Sequence, residues 1–336
     1  MTTKIIFGSN KLGNIRNEQL QATLVKFKLG TLLSAKKTEQ GAMGQTMFII
    51  STKGEFVFKG NPLYKGQLEE EKYFIEQLRQ RTEVPVPIPY LIDDSTDIFG
   101  WKYALMPLLK GKHLTDSTLQ HTMNTKDKCS IAQSIADALF AFHQWKVEDF
   151  GELDTHTLKI TPFKTGYYQW LFDRILFWLE DARKYSKVTH DDLQWTKNLL
   201  EDSKEAFQRI TSPTFVMGDF KPGNFLVQQK ESSWSISGVF DFTNSFFGDP
   251  VSDLVKMLTY YLDNNEKVVA KHLVDAYFDK LTNKVDSITR LKVHMLHQKV
   301  LDWGNAKATK TVTWYDELPF YHWAGEYTQA MEDLFR

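Results

Sequence analysis

The stretch "FVMGDFKPGNFLV", Phe215 to Val227, decides how this chain is read. It is apolar at both ends, which suits two buried strands, yet Gly218-Asp219 and Lys221-Pro222-Gly223-Asn224 interrupt it. A Pro-Gly turn needs neither an acid before it nor an amide after it. Asp219 and Asn224 are therefore either ordinary loop residues or groups aimed at a ligand, since loops between strands often carry chemistry. The neighbouring sequence decides.

Downstream, "FLVQQ" and "WSISGVFDF" read as a hairpin separated by polar turn residues. Pairing Phe225–Val227 with Ser235–Phe240 would bring their outer ends together, and with them Asn224 and Asp241. An amide oxygen plus a carboxylate suits Mg²⁺, which takes few protein ligands and completes its shell with substrate phosphates. Asp219, just before the same loop, could accept a proton from a hydroxyl nucleophile. Each acid alone would read as a turn cap. Three groups spaced around one hairpin read as a phosphoryl-transfer site.

The 336 residues allow two domains or one two-lobed unit. With 24 Phe, 13 Tyr and 9 Trp a large core is available. Lys plus Arg (41) nearly cancels Asp plus Glu (42), so a net charge of -1 gives no reason to expect nucleic acid or an anionic membrane surface. The single cysteine, Cys129, excludes an internal disulfide and reads as a buried thiol in a helix. The start lacks a signal-type apolar segment and no long apolar run follows, so a cytoplasmic protein without membrane insertion is expected. Oligomeric state is not legible.

Residues 17–29 have helical spacing and stop at Gly30. "TLLSAKKTEQ", "QTMFIIST" and "GEFVFKG" then read as an antiparallel meander. A helix follows over about 66–80, "VPVPIPY" must be extended, and "WKYALMPLL" is one more strand. Beyond it helices dominate, at about 127–145, 163–185 and 191–210, with the hairpin as the only clear return to strand. The expected class is α+β and bilobal: a β-rich N-lobe over 1–105, a hinge at 106–110 and a helical C-lobe over 111–336.

"GDFKPGNFLV…VFDF…GDPVSDL" resembles the signature of the aminoglycoside phosphotransferase and choline kinase group, within the protein-kinase-like fold. That pattern reads H-G-D-x-x-x-x-N, then I-D-F or I-D-W, then G-D-P-x-x-D-L. The resemblance implies Asp219 as catalytic base, Asn224 and Asp241 as Mg²⁺ ligands, and Asp253 bracing the catalytic loop. Met217 stands where the pattern has His. "FHQW", ending the 127–145 helix, resembles the family's L-x-x-L-H segment, with His143 as a packed structural residue. About the first fifteen residues have no counterpart.

In "EFVFK" strand alternation puts Phe56 and Phe58 on one face, Glu55, Val57 and Lys59 on the other. By the same resemblance Val57 would roof the adenine and Lys59 would reach the α and β phosphates. "LEEEKYFIEQL" supplies the acidic partner; Glu71 is on the inward side, with Glu70 one position away. Gly41, Gly44 and Gln45 could lie over the phosphates or form a plain hairpin turn. In "LMPLLKG" the Pro107 carbonyl and the Leu109 N–H have the spacing adenine needs, although an interlobe linker reads the same way. ATP is the expected phosphoryl donor, with GTP possible, and Mg²⁺ the metal.

Lys221 gives "DFKPGN" the spacing of the protein Ser/Thr kinase D-L-K-P-E-N loop, where such a lysine touches the transferred phosphate. Only a few residues separate Asp241 from "GDPVSDL", too few for a peptide-docking activation segment. A small-molecule hydroxyl acceptor (an amino alcohol, a sugar, an aminoglycoside or a related antibiotic) is the expectation. The rivals are a protein kinase and a silent kinase-like binding protein. Asp173, Glu180, Asp181, Asp191 and Asp192 could greet a cationic acceptor or be solvated helix acids. Trp303, Trp314, Tyr315, Tyr321 and Trp323 could line an acceptor pocket or pack as core, and Tyr168 joins Trp323 as a wall candidate.

Overall fold

The computed structural model describes residues 11–38, 45–231 and 233–336. Helix α1 (Asn17–Lys26) precedes β1 (Leu32–Lys37), β2 (Thr46–Ser51) and β3 (Gly54–Gly60), followed by α2 (Gln67–Arg81), β4 (Leu91–Asp93) and β5 (Tyr103–Pro107). The five strands form one antiparallel sheet in the order β1-β2-β3-β5-β4. The alternation in β3 holds: Phe58 is fully buried beneath α1 with Leu24, Ile49 and Tyr103, while Val57 packs toward the other lobe. Helix α1 ends three residues short of the expected boundary. Lys28 adopts φ 59°, and the Leu29 N–H turns back to the Leu24 carbonyl at 2.8 Å, which closes the helix before Gly30.

The second lobe begins with β6 (Lys112–His113), α3 (Ser117–Thr122) and α4 (Thr125–Phe142). Strands β7 (Gly151–Asp154) and β8 (Lys159–Pro162), helices α5 (Tyr167–Ala182) and α6 (His190–Gln208), and β9 (Thr214–Val216) follow. Strands β10 (Phe225–Lys230), β11 (Ser233–Val239) and β12 (Phe246–Gly248) then lead through a 3-10 turn (Pro250–Leu254) into α7 (Val255–Asp263), α8 (Lys267–Phe278), α9 (Lys284–Thr309) and α10 (Phe320–Asp333). The hairpin is therefore not the only β-structure here: β10 and β11 also take β6, and β8-β7-β12-β9 form a separate sheet. "GELD" buries only Gly151 and Leu153 and "KITP" is mostly exposed, so neither shows an apolar alternation in its sequence.

One apolar core runs through both lobes, from Phe74, Ile75 and Met106 to Phe142, Phe215, Phe225 and Val239. A second fills the space between α5, α6, α9 and α10, with Trp178, Trp303, Phe320 and Trp323 at its centre. Helices α4 and α6 start on capping boxes, Asn124 with Asp127 and Thr189 with Asp192. Cys129 is half-buried on α4, not enclosed as expected. No helix among the described residues is long and apolar enough to cross a membrane. This is the bilobal arrangement the sequence led us to expect.

Candidate active site

Strand β9 runs into the 217–224 loop, and two backbone features shape that loop. Gly218 adopts φ +74°, and a Cβ there would lie 2.2 Å from the Asn244 carbonyl oxygen, so only glycine fits. The Met217 and Gly218 N–H groups both donate to the Asp253 carboxylate, each at 2.8 Å. Asp253 also accepts from His143 Nε2 at 3.1 Å, which leaves His143 Nδ1 to accept the Tyr277 hydroxyl at 2.6 Å. Met217 is fully buried, and Asp253 holds its backbone whatever its side chain.

The hairpin register pairs Phe225 with Val239, and the Phe240 N–H donates to the Asn224 carbonyl at 3.0 Å. Asn224 and Asp241 are thus brought to one end of the hairpin. The Asn224 amide donates to Asp219 Oδ2 at 2.9 Å, which turns its own carbonyl oxygen the other way. Lys221 Nζ reaches the same Oδ2 at 2.7 Å, and Lys256, at the start of α7, reaches Oδ1. Asp219 is 6% exposed, so the carboxylate lies in a shielded pocket between two ammonium groups.

Lys59 crosses the cleft. Its Nζ lies 2.8 Å from Glu71 Oε2 and 3.1 Å from Asp241 Oδ1. Burial works against the ammonium, yet the charges of Asp241 and then Glu71 outweigh it and raise the Lys59 pKa above the ordinary lysine value. Lys59 in turn holds the Asp241 carboxyl below the usual carboxylate range. Asp241 adopts φ 68°, a region few non-glycine residues visit, with Thr243 Oγ1 donating to it at 3.1 Å. Of the two acids considered for Lys59, the partner is Glu71. Glu70 takes the Tyr64 hydroxyl at 2.7 Å instead.

The Leu108 N–H donates to the Glu55 carbonyl at 3.0 Å, so the Phe56–Pro107 pair is a non-bonded one and the Pro107 carbonyl is directed off β3. The Leu109 N–H has no partner among the described residues. Its side chain presses on Gly238, where a Cβ would lie 2.5 Å from Leu109 Cδ1. Gly41 and Gly44 lie outside the described residues. Gln45 corrects the expectation. It is buried, and its amide is hydrogen-bonded to the Gly60 and Asn61 carbonyls, so its side chain does not face the cleft. A buried amide takes the nearest backbone acceptors.

Among the described residues no cluster of three or more His, Cys, Asp and Glu side chains could hold a metal. The donors that converge here, the Asn224 carbonyl oxygen and the Asp241 carboxylate, fit a cation that fills most of its shell from phosphate oxygens and water.

The acceptor candidates fare differently. Glu180 pairs with Arg183 and Asp181 with Lys184, Asp173 accepts from Gln169, and the Asp192 carboxylate receives the Thr189 N–H in the α6 capping box and the Tyr321 N–H. Trp303, Trp314 and Trp323 pack face to face or tilted within the second core, and Tyr168 packs edge-on against Phe172 there. Trp303 and Trp323 belong to that core, while Trp314 and Tyr168 are half-buried against it. Lys256 escaped the sequence reading, although a lysine in the first turn of a helix, against the helix dipole, was a usable signal.

A family model described as "Phosphotransferase enzyme family" matches residues 34–286, about three quarters of the chain. Acyl-CoA dehydrogenase family member 11 of Rattus norvegicus is 22% identical over 241 residues, covering 68% of this chain and 28% of that protein. The chain therefore spans little more than a quarter of that relative. Among solved structures, the GDP complex of aminoglycoside 2′-phosphotransferase-IIIa superposes with a TM-score of 0.62 at 16% identity, covering 94% of this chain and 98% of that one. A thermostable aminoglycoside phosphotransferase mutant in ternary complex with ADP and hygromycin B gives a TM-score of 0.60 at 13% identity, covering 94% and 98%. These likenesses agree with the bilobal fold, and the match over residues 34–286 places the chain in the phosphotransferase enzyme family.

Proposed function

We propose that this protein is a Mg²⁺-dependent kinase that moves the γ-phosphoryl group of ATP, or of GTP, to a hydroxyl of a small molecule. The observation that carries the reading is the position of Lys59, joined to Glu71 on one side and Asp241 on the other, above the loop that holds Asp219 and Asn224. Relatives in fold are known in complex with GDP and with ADP, which supports either nucleotide.

In this reading the base stacks beneath Val57, with the Pro107 carbonyl as acceptor and the Leu109 N–H as donor in a hinge over 106–110. Lys59, steadied by Glu71, holds the α and β phosphates. Asn224 and Asp241 would hold Mg²⁺, which when bound neutralises charge on the phosphates. Asp219 orients the acceptor hydroxyl and takes its proton as the oxygen attacks the γ phosphorus. Lys221 balances charge on the phosphoryl group in flight.

The protein-kinase alternative is disfavoured by β12. Only five residues after Asp241 the chain is already strand, paired with Val216, and no length remains for a peptide platform. A silent binding protein would have no use for the Lys59, Glu71 and Asp241 set. The direct test is phosphate transfer from [γ-³²P]ATP to a panel of small hydroxyl compounds, with and without Mg²⁺. Nucleotide binding without any transfer or hydrolysis would favour the silent reading.

A further inference from the structure

We propose that the acceptor is an anionic hydroxy compound whose carboxylate or phosphate is received by Arg174 and Lys256. This deepens the kinase reading and rests on it. The charges around Asp219 carry the proposal. Lys221 and Lys256 both contact its carboxylate, and a cationic acceptor would bring a third positive group to the same spot.

Lys256 also poses a problem that an anion solves. While it is bonded to Asp219 Oδ1, that oxygen is engaged and cannot readily take a proton. An acceptor anion offers Lys256 another partner. The hydroxyl oxygen then forms its bond to the γ phosphorus as the bond to the leaving nucleoside diphosphate breaks, and its proton passes to the released Asp219 oxygen.

Arg174 lies on α5, with its guanidinium 5.6 Å from the centre of the Trp170 ring, and Trp170 packs against Phe246 of β12. Among the described residues Arg174 makes no ion pair or hydrogen bond. Burial pulls its pKa down, and the one acid that opposes this, Glu152, acts only from a distance. A partly buried, unpaired guanidinium is an uncommon and costly arrangement, and an anionic ligand relieves it.

His297 of α9 is buried, and that burial, then the charges of Arg174, His294 and Lys256, hold its imidazole well below the ordinary histidine range. His297 Nε2 is buried without a hydrogen-bond partner. Of the acids that could have served a cation, Asp192 is tied into its capping box, and Glu180 and Asp181 pair with Arg183 and Lys184.

A set built on one carbon skeleton tests this: glycerate and glycerol 3-phosphate as anions, glycerol as neutral, and 3-amino-1,2-propanediol as cation. With MgATP, kcat/KM should be at least about tenfold higher for an anion than for glycerol, and lowest for the amine. Whichever anion leads identifies the group. Arg174→Gln should raise the KM for the anion about tenfold with the KM for ATP unchanged, whereas Arg174→Lys should keep most of the preference. If Arg174→Gln melts early, Lys256→Gln serves as the second probe of anion preference. Equal or better use of glycerol or the amine overturns the proposal, as does an anion preference that survives both substitutions. Calorimetric titration of MgATP and, separately, of the two anions into nucleotide-free protein separates the two readings. Loss of MgATP binding would end the kinase reading, while absence of anion binding ends this proposal alone.

Discussion

Lys59 and Glu71 form a buried ion pair with Nζ 2.8 Å from Oε2, and Tyr90 donates its hydroxyl to the same carboxylate oxygen at 2.8 Å. The pair fixes the lysine where strand β3 meets helix α2. Glu71→Gln should leave the fold intact and lower kcat/KM by roughly tenfold, because Lys59 then leans toward Asp241 alone. Lys59→Ala should cost more. Steady-state kinetics with melting curves checks both, and a larger kinetic loss from Glu70→Gln than from Glu71→Gln would contradict the pairing.

Asp241→Asn removes a negative charge from the proposed metal position and one of the two partners of Lys59. The Mg²⁺ concentration needed for half-maximal nucleotide binding should rise at least about tenfold in calorimetric titration. Unchanged MgATP affinity would show that the end of the hairpin does not hold the metal.

Glu70 is a sensitive reporter of pH. Burial, together with the charges of Glu152 and Glu71 and despite the Tyr64 hydroxyl, pushes its carboxyl up to about 7. The unfolded carboxyl ionises at its ordinary lower value, so the folded protein loses stability as pH rises from about 4.5 to about 7. Glu70→Gln should therefore melt higher than wild type at pH 8, with the gap closing by pH 5. A gap that is flat across this range would contradict the burial.

Asp249 is held by Arg290 at 2.8 Å and by His294 at 2.9 Å. Burial opposes its ionisation, but Arg290 and His294 win and lower it to about 2. Arg290→Met should destabilise at pH 7 by about 3 kcal/mol, since it leaves a buried carboxylate with His294 as its remaining partner. Without the Arg290 charge the carboxyl would ionise at a higher pH than before. The difference in Tm from wild type should accordingly shrink as pH falls from 7 toward 4. Denaturant unfolding at several pH values measures this.

The convergence of Asp219, Lys221, Asn224 and Asp241 was legible because the first three span six positions framed by β-turn chemistry, and hairpin pairing brings Asp241 to them. Glu71 was legible from helix phase. Arg174 was not, because contacts across tens of residues leave no local pattern, and Lys256 left only its odd place in the first turn of a helix. Gln45 misled for the opposite reason. Its place after a Gly-rich loop suggested a phosphate, yet burial turned its amide to the nearest carbonyls. Two acids at the end of α5 carried their outcome in their spacing, since Glu180 with Arg183 and Asp181 with Lys184 are three apart. The short strands β7 and β8 were invisible because sheet pairing, not side-chain pattern, defines them.

The central claim is that Asp219 takes the proton of an acceptor hydroxyl during phosphoryl transfer. It is tested most directly by Asp219→Asn, with calorimetry for MgATP binding and single-turnover transfer of labelled phosphate for chemistry. The side chain keeps its size and can still meet Asn224 and Lys221, so the nucleotide should bind as before. The transfer rate should fall by about 10²–10⁴, the usual weight of general-base assistance. Transfer at the wild-type rate in Asp219→Asn would contradict the account.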